Sequence, residues 1–491
     1  MKLSLLFLLL SGVFLAACDQ NLPQQSKGPN IIFILADDMG WADLPAYGNK
    51  FNEAPNLDQL VRDGKRFTNA YAACPVCSPT RASIMTGQYP ARVGIIDFIT
   101  GHWRPYEKVT VPINRTQYLP GNLKTIGNIM KEAGYATGYF GKWHLGSKPE
   151  NHPTNFGFDV AEEYVGGGFY HSKFKPALKV KPKEQRLSEI LTDMGIDFIN
   201  KNKNNPFFLF LAHYDVHVQL DADTVLIEKY LNKKRVPDYP CNAVYAAMIE
   251  HVDRSVGRIV NTVDSLGLSN NTVILFFSDN GGLKMRFDKI VLLEKSKRYV
   301  YEGDSLAYIA SSNYPLRREK GTIYEGGIRE PMIIKWPGKV EGGSISDALI
   351  SSVDFYPALA SLAGVDMPAG QVVDGTSFID EILEGKDQNK ERAIFWHYPV
   401  YHHDVPASAV RQGDWKLIHN LVDNTVELYN LKNDIGESQE LSKVYPDKAR
   451  ELSALLDQWR EDVGARLPVP NPDFDESKRH QWARHPSALR K

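Results

Sequence analysis

The chain has few cysteines, no strong excess of either charge and no long apolar run after its first residues. Four cysteines in 491 residues are too few for disulfides to form the scaffold of an exported protein of this size. The formal net charge of −2, with both signs spread along the chain, argues against a nucleic-acid-binding protein, which would carry a basic face or tail. No internal repeat is visible. These absences leave a globular protein that is held together by buried core residues.

The first residues have the pattern of a bacterial secretory signal. Lys2 precedes an apolar run over residues 3–15, which is too short to span a bilayer and ends in Leu15-Ala16-Ala17-Cys18. That ending resembles a lipobox, in which Cys18 is lipidated and becomes the mature N-terminus; an ordinary cleavage site that happens to contain a cysteine is the alternative. We therefore expect an exported lipoprotein, on the periplasmic side of a membrane or at the cell surface.

The length predicts a large domain and a smaller one, because a single hydrophobic core rarely serves 491 residues. We expect five segments, in this order: a signal peptide with a lipobox over residues 1–17, a polar tether over 18–28, a catalytic domain over 29–375, a C-terminal α+β subdomain over 376–470, and an irregular tail over 471–491.

Short apolar runs that end in polar residues alternate with helical patterns in the first part of the chain. This alternation predicts an α/β fold, with a central sheet covered by helices on both faces. The predicted strands cover residues 31–36, 136–140, 207–212 and 272–277, and the predicted helices cover 57–63, 125–133, 187–200 and 244–266. Beyond residue 374 the pattern predicts a small antiparallel sheet with a helix on one face. Its strands are predicted over 393–396, 410–418 and 426–429, and its helix over 449–462.

Polar residues follow each of the four predicted strands of the large domain. They are Asp37-Asp38, then Lys142 and His144, then His213 and His217, then Asp279-Asn280. Ligands of open α/β sheets bind beyond the carboxyl ends of the strands, so these residues are expected to converge on one crevice. Any one cluster could be an ordinary polar strand end, but that interpretation does not account for all four.

The segment Cys77-Ser78-Pro79-Thr80-Arg81, continuing to Gly87, carries the strongest motif. It resembles the signature of the type I sulfatases, in which the cysteine is oxidised to formylglycine. Further segments resemble sulfatase blocks in the family's order: residues 36–41, 141–146, 278–282, 320–329, 352–357 and 413–417. The resemblance implies an alkaline-phosphatase-like fold, with a mixed central sheet flanked by helices and a smaller C-terminal α+β domain.

The resemblance also implies a covalent mechanism at residue 77. A hydrated aldehyde offers two hydroxyls: one attacks sulfur, and loss of the proton of the other later expels sulfate, so that one difficult step becomes two easier ones. Pro79 suits the first turn of a helix, which would place residue 77 beside backbone N–H groups that stabilise an anion. An ordinary buried thiol is the alternative for Cys77.

The carboxylate and amide oxygens of Asp37, Asp38, Asp279 and Asn280 suit a hard cation, Ca²⁺ or with less support Mg²⁺, rather than zinc. The resemblance implies calcium bound by Asp37, Asp38, Asp279, Asn280 and residue 77. It further implies that Arg81 and Lys142 hold formylglycine, that Lys320 and His217 grip the sulfate, and that His144 assists its release. His217 is also the candidate general acid for the leaving alcohol, with His213 as the alternative histidine.

Substrate recognition is the least specified part of the sequence. Sulfated saccharides are the expected substrates, because the lipoprotein context and two aromatic segments suit carbohydrate. One segment covers residues 94–103 and contains Asp97, His102 and Trp103. The other covers residues 396–403 and contains His397, and Arg411 farther along the chain is a further candidate. Packing between domains is an equal interpretation for Trp103 and Trp396. The stretch 283–312 is either a specificity loop or a solvated insertion.

Two other functions remain compatible with the sequence. Related phosphodiester or phosphonate hydrolases share this metal site, and a glycan-binding lipoprotein could keep Cys77 unmodified. A sulfatase would need a partner for maturation, either a formylglycine-generating enzyme or an anaerobic sulfatase-maturating enzyme. Whether Cys74 and Cys241 pair is open at this stage.

Overall fold

The computed structural model describes residues 28–178, 185–284, 309–385 and 391–488. The predicted signal peptide, the lipidation site Cys18 and the tether up to residue 27 lie outside the described residues, as does most of the 283–312 stretch. Among the helices of the described part, none combines the length and the apolar character needed to cross a membrane.

Strands and helices alternate through the first two thirds of the chain, as predicted. The strands are β1 (Asn30–Ala36), β2 (Lys65–Phe67), β3 (Ala70–Tyr71), β4 (Val109–Thr110), β5 (Ala136–Lys142), β6 (Val160–Gly166), β7 (Lys173–Lys175), β8 (Phe207–Ala212), β9 (Thr272–Ser278), β10 (Met332–Lys335), β11 (Ser344–Ser346), β12 (Ile350–Ser351), β13 (Ala393–Tyr398), β14 (Ala407–Gln412), β15 (Trp415–Asn420), β16 (Val426–Asn430) and β17 (Val469–Pro470). The helices are α1 (Pro55–Asp63), α2 (Cys77–Thr86), α3 (Pro90–Val93), α4 (Ile126–Glu132), α5 (Leu187–Asn202), α6 (Thr224–Leu231), α7 (Ala243–Ser265), α8 (Glu325–Ile328), α9 (Phe355–Ala363), α10 (Ile379–Glu384) and α11 (Pro446–Asp462).

A nine-stranded mixed sheet forms the centre of the molecule, in the order β11-β2-β10-β9-β1-β8-β5-β6-β7. Strands β9, β1, β8, β5 and β6 run parallel, whereas β10 and β7 run antiparallel to their neighbours. Alternate residues of β1 enter different core clusters, Ile32 and Ile34 on one face and Phe33 and Leu35 on the other. Both faces are therefore covered, which explains why the central strands read as continuous apolar runs and confirms the predicted fold class.

The carboxyl ends of the central strands are joined by backbone hydrogen bonds. Asp37 N donates to Asp215 O at 3.0 Å, and Val216 N donates to Asp37 O at 2.7 Å. On the other side of β1, Asp279 N donates to Ala36 O at 3.2 Å. The polar residues that follow β1, β8 and β9 are thus held at one edge of the sheet.

The C-terminal part contains the predicted antiparallel sheet, in the order β13-β14-β15-β16, with α11 packed against β14 and β15. The single strand predicted over residues 410–418 is wrong, because the chain reverses at Gly413-Asp414 and pairs Gln412 with Trp415. Gly413 has a φ of 57°, a left-handed conformation that favours glycine. The sequence pattern suggested one continuous strand because apolar residues lie on both sides of this two-residue turn.

Cys74 and Cys241 are both buried free thiols. Cys74 packs in the cluster between the two sheets, whereas Cys241 packs among residues around α7. The structure therefore settles the open question of these two cysteines: they do not pair.

A buried ionic network joins the two domains. Lys416 Nζ, on β15, lies 2.8 Å from Glu325 Oε1 on α8 and 2.8 Å from Glu437 Oε1. All three side chains are inaccessible to solvent. Burial raises the pKa of Glu437 to about 7, although Lys416 acts in the opposite direction. Lys416 therefore offsets the cost of burying two carboxyl groups at the domain junction.

We expect Lys416→Met to lower the free energy of unfolding by roughly 3–5 kcal/mol, because both carboxyl groups lose their buried cation. Thermal unfolding at neutral pH, followed by circular dichroism, measures the effect. Lys432→Met is the matched control, since Lys432 is 72% exposed and lies 4.0 Å from Asp414. Equal unfolding midpoints for the two variants would contradict a structural role for this network.

Candidate active site

Cys77 is the first residue of α2 and is almost completely buried. Pro79 occupies the first turn, where its missing N–H costs no hydrogen bond. The helix ends at Gly87, whose φ of 69° closes it in a left-handed conformation. Thr80 Oγ1 donates to Cys74 O at 2.8 Å and fixes the chain before the helix. The motif found in the sequence is therefore one complete, buried helix with residue 77 at its positive end.

Carboxylates and cations alternate around Cys77. Lys320 Nζ lies 2.6 Å and 2.7 Å from the two oxygens of Asp38 and 3.7 Å from Cys77 Sγ. Lys142 Nζ donates to Asp37 Oδ2 at 2.5 Å, and Asp37 Oδ1 lies 3.6 Å from Cys77 Sγ. The structure thus brings residue 77 between two lysines and two carboxylates that come from three separate segments.

Arg81 joins this group from the next turn of α2. Its Nε donates to Asp279 Oδ2 at 2.8 Å, and its Nη2 lies 2.7 Å from the same oxygen and 3.7 Å from Asp37 Oδ2. Asn280 Nδ2 donates to Asp38 Oδ1 at 2.8 Å. Arg81 therefore holds together the carboxylates that follow β1 and β9.

Burial raises the pKa of the Cys77 thiol to about 12, even though Lys142 and Lys320 favour the thiolate. At neutral pH an unmodified cysteine in this position would carry its proton. Since the thiolate is the nucleophilic form of cysteine, this environment does not suit a cysteine nucleophile. It does suit a group that is neutral at rest and loses a proton during the reaction.

The oxygen atoms beside Cys77 fit a hard divalent cation. Potential ligand atoms of Asp37, Asp38, Cys77 and His217 lie within 4.8 Å of one another. Asn280 Oδ1 is buried and accepts no hydrogen bond from the described residues, as expected for an oxygen that faces a cation. Oxygen ligands of this kind select Ca²⁺ or Mg²⁺.

Asp279 borders the same cluster and supports this interpretation. Burial, and then repulsion by Asp37, raises the pKa of Asp279 to about 6. Asp38 differs, because Lys320, His217 and Lys142 outweigh the effect of burial and lower its pKa. A divalent cation would stabilise the ionised form of Asp279 by the same electrostatic effect that Lys320 exerts on Asp38.

His144 has one ring nitrogen that is hydrogen-bonded and one that is not. Its Nε2 lies 2.9 Å from Ile99 O, so this nitrogen carries the proton. Its Nδ1 is buried and has no hydrogen-bond partner among the described residues. Burial, assisted by Lys142, lowers the pKa of His144 well below its usual value. His144 is therefore a neutral imidazole with a proton-accepting nitrogen.

His217, and not His213, is the second histidine of the site. His217 Nε2 lies 3.6 Å from Asp38 Oδ2, and its Nδ1 lies 2.6 Å from Val218 O. His213 is completely buried, and its Nε2 contacts Ser255 Oγ on α7 at 3.0 Å. Burial lowers the pKa of His217 to about 3, and a bound anion would raise it again.

Two site residues have backbone conformations that are unusual for their type. Asp38 has a φ of 62° and His144 a φ of 58°, and non-glycine residues adopt positive φ values uncommonly. Each lies two residues beyond the end of a strand, β1 or β5. The fold thus tolerates backbone strain at two positions of the site.

The site opens into a cavity of about 1050 Å³. Cys77, Lys142, His144, His217 and Lys320 all contribute to its lining. Other residues complete the wall: Phe98, His102, Gly146, Glu163, Tyr164, Lys175, Tyr214, His402, His403 and Trp482. This volume exceeds what a bare sulfate or phosphate group needs and leaves room for an organic substituent.

Of the residues predicted to bind substrate, His102 lines this cavity. Asp97 is buried behind it and accepts hydrogen bonds from the backbone N of His102 at 2.6 Å and from Tyr398 Oη at 3.1 Å. Trp103 packs against the C-terminal domain, with its ring 6.2 Å from that of His485. Asp97 therefore orients His102, and Trp103 has a packing role.

His397 and Arg411 do not reach the cavity, contrary to the prediction that they bind substrate. His397 is buried in β13 and contacts Ser408 Oγ at 2.8 Å and Arg466 O at 3.0 Å. Arg411 is buried in β14 and hydrogen-bonds the hydroxyl of Tyr71. Neither side chain lines the cavity: His397 is bonded within the C-terminal domain, and Arg411 bonds Tyr71 of the large domain. Trp396 likewise packs between the domains, because its Nε1 donates to Ala72 O at 2.8 Å.

Several cavity residues carry no motif that sequence reasoning could have used. Glu163, Lys175 and Tyr214 come from the loops and strands around β6 and β8, and Trp482 comes from the predicted irregular tail. Burial raises the pKa of Glu163 to about 7. Glu163 lies within β6 and Lys175 within β7, so no local signal in the sequence points to the cavity.

Comparisons with known proteins agree with this geometry. The Sulfatase family model matches residues 29–365, and a model for the C-terminal part of N-sulphoglucosamine sulphohydrolase matches residues 318–462. A sulfatase of Formosa agariphila is 31% identical, with 93% of each chain covered. The N-acetylgalactosamine-6-sulfatase of Mus musculus is 31% identical over 94% of this chain and 85% of that protein.

The fold is also shared with solved structures. The crystal structure of Ps i-CgsB superposes with a TM-score of 0.73 at 29% identity, covering 91% of this chain and 95% of that one. A second structure of that protein, in complex with a neocarrahexaose, gives a TM-score of 0.72 at 29% identity, covering 92% and 96% of the chains. The chain therefore belongs to the sulfatase family of the alkaline phosphatase-like superfamily and is an enzyme that hydrolyses sulfate esters.

Proposed function

We propose that this sulfatase hydrolyses sulfate monoesters of saccharides, with formylglycine at position 77 and a calcium ion beside it. The observation that carries this proposal is the position of residue 77. It lies at the buried N-terminus of α2, between Lys142 and Lys320 and against the carboxylates of Asp37 and Asp38. Magnesium is the less favoured cation, because it demands a more regular arrangement of ligands.

The cationic side chains are suited to bind the sulfate group. Lys142 and Lys320 both contribute to the cavity lining beside Cys77. Arg81 stays behind them, paired with Asp279, and holds the carboxylates in place. A bound calcium ion would add positive charge at the sulfate oxygens and favour ionisation of the attacking hydroxyl. The site is therefore preorganised for an anionic group in surroundings with little water.

The two histidines would take part in opposite proton transfers. A hydrated aldehyde at residue 77 supplies one hydroxyl that attacks sulfur and a second whose deprotonation releases sulfate. His217, protonated beside a bound anion, would give its proton to the departing alcohol oxygen. The unprotonated Nδ1 of His144 would accept the proton of the second hydroxyl. The proton of the attacking hydroxyl would pass to Asp37, whose Oδ1 lies 3.6 Å from the side chain of residue 77. Addition of water to the aldehyde then restores the hydrate. Of the two protons held by Asp37 and His144, one would return to His217 and the other would leave to solvent.

The saccharide assignment is supported by the relatives and by the cavity wall. The mouse relative and a relative from Bacteroides thetaiotaomicron, 28% identical over 93% of this chain, are both named for sulfated N-acetylgalactosamine. The complex of Ps i-CgsB contains a neocarrahexaose. Neutral imidazole and phenol groups along the wall, such as His402 and Tyr214, can hydrogen-bond sugar hydroxyls.

Sulfate release from a panel of sulfated mono- and oligosaccharides tests the proposal. The protein is co-expressed with a formylglycine-generating enzyme or an anaerobic sulfatase-maturating enzyme. The panel should include N-acetylgalactosamine 6-sulfate and carrageenan oligosaccharides, together with the sulfate and phosphate esters of one phenol. Release from a sulfated saccharide, with the phenyl phosphate much slower than the phenyl sulfate, is the expected result. Preference for the phosphate ester would contradict the proposal.

We also propose that the mature protein is a lipoprotein anchored through Cys18. In a bacterial host, we expect the wild-type protein to incorporate a radiolabelled fatty acid. We also expect it in the membrane fraction, because the hydrocarbon chains added to Cys18 would insert into the bilayer. Cys18→Ala should lose the label. Equal labelling of both proteins would contradict the lipobox interpretation of residues 15–18.

A further inference from the structure

The last part of the chain runs along one side of the cavity. We name residues 469–488 the C-terminal strap. Its first residues form β17, which pairs with β4. Farther along, Asn471 N donates to Lys108 O at 3.1 Å and Ala483 N donates to Trp103 O at 3.1 Å. The strap is therefore hydrogen-bonded at intervals to the segment that follows α3.

Close packing fixes the far end of the strap. His485 is 5% exposed, and its ring stacks edge-on against Trp103. A Cβ on Gly101, whose φ is +111°, would lie 2.7 Å from His485 Nε2. Only glycine satisfies both the backbone conformation and this approach. The strap thus reaches the segment that carries His102 at a defined position.

Trp482 projects from the strap into the lining of the cavity. Its side chain is held by Arg104, whose guanidinium lies 4.1 Å from the ring centroid, and by His102, whose ring lies 5.5 Å away. Trp482 nevertheless keeps 39% of its surface exposed. An oriented, partly exposed indole at the rim of a polar cavity is suited to pack against a ligand ring.

A continuous row of side chains links Trp482 to the reacting centre. Gly321, next to Lys320, is so close to His402 that a Cβ there would lie 2.0 Å from His402 Nδ1. The rings of His402 and His102 are 3.7 Å apart, and His102 contacts Trp482. Trp482 therefore lies outward from Lys320, with two imidazoles between them.

We propose that Trp482, His102 and His402 form a subsite for a pyranose ring of the alcohol that carries the sulfate. The indole packs against the C–H face of the ring, and the imidazoles hydrogen-bond its hydroxyls. This inference rests on the proposed function and extends it. The strap makes the enzyme selective for saccharide sulfates, because the subsite gains nothing from a bare sulfate ion.

The test compares matured wild type with Trp482→Ala, Trp482→Phe and the control Phe474→Ala. Phe474 is on the same strap and 41% exposed, and it lies outside the cavity lining formed by the described residues. On the saccharide that the wild type desulfates, Trp482→Ala is expected to lose about three- to tenfold in kcat/KM. The loss should appear mainly as a higher KM with little change in kcat, because ring packing stabilises the bound substrate and the transition state equally. Trp482→Phe should retain more activity than Trp482→Ala, and Phe474→Ala should match the wild type.

Competitive inhibition by inorganic sulfate reports on the reacting centre alone and is expected to be equal in all four proteins. Unchanged saccharide kinetics in Trp482→Ala would overturn the inference, while sulfate release by the wild type would leave the proposed function standing. Weakened sulfate inhibition in parallel with the lost activity would also overturn it, since the reacting centre would then be distorted. Absence of sulfate release by the wild type from every ester would instead refute the proposed function.

Discussion

Replacing Cys77 by alanine is expected to abolish sulfate release, with a fall in kcat of about 10⁴-fold or more, as found when a covalent nucleophile is removed. Alanine cannot be oxidised to an aldehyde and offers no hydroxyl to sulfur. The side chain is buried and small, so the substitution removes one sulfur atom and leaves the surrounding ion pairs in place. Release of inorganic sulfate under single-turnover conditions measures the loss.

The control for Cys77→Ala is Cys74→Ala, which removes a second buried thiol three residues earlier. Burial raises the pKa of Cys74 well above its usual value, and Cys74 packs among apolar residues. Cys74→Ala should keep most of the activity. Substantial turnover by Cys77→Ala would refute a covalent role for residue 77.

Removal of divalent cations is expected to lower kcat/KM by about 10³-fold, which corresponds to the several kcal/mol that a Lewis acid contributes. Calcium should restore the activity, and magnesium should restore less. In Asp279→Asn, calcium should restore little, because the variant lacks a carboxylate that is expected to bind the cation. Burial, and then repulsion by Asp37, raises the pKa of this carboxyl to about 6, so a nearby cation is needed to favour its ionised form.

Thermal stability gives a second measurement of the same site. Calcium should raise the unfolding midpoint of the wild type, since a ligand that binds only the folded state stabilises it, and should raise that of Asp279→Asn much less. Asp253→Asn is the matched control, because Asp253 is equally buried but binds Leu57 N at 2.8 Å, away from the site. A chelator that leaves both activity and midpoint unchanged would contradict the cation site.

The sequence predicts those parts of the site that lie on regular elements. Asp37, Lys142 and Asp279 follow strands that are apolar on both faces, and parallel strands bring their carboxyl ends to one edge. Cys77 and Arg81 lie one turn apart on a helix that the motif defines. Local pattern and topology together are sufficient to place these residues side by side.

The remaining cavity wall depends on tertiary packing that the sequence does not encode locally. Trp482 reaches the cavity because the strap pairs with β4, a strand of two residues. The residue types of His397 and Arg411 suit a sugar, but the side chain of His397 is bonded within the C-terminal domain and that of Arg411 bonds Tyr71 at the domain junction. The composition of a strand does not tell which partner will cover a given face.

Protein samples that differ in their formylglycine content give the sharpest test of catalysis by a modified residue 77. Peptide mass spectrometry gives the fraction of residue 77 converted, because the aldehyde is about 18 mass units lighter than cysteine, and sulfate release gives the rate. We expect the rate of sulfate release to be proportional to the converted fraction, with no release at zero conversion. A sample that is fully cysteine at position 77 and as active as the converted one would contradict it.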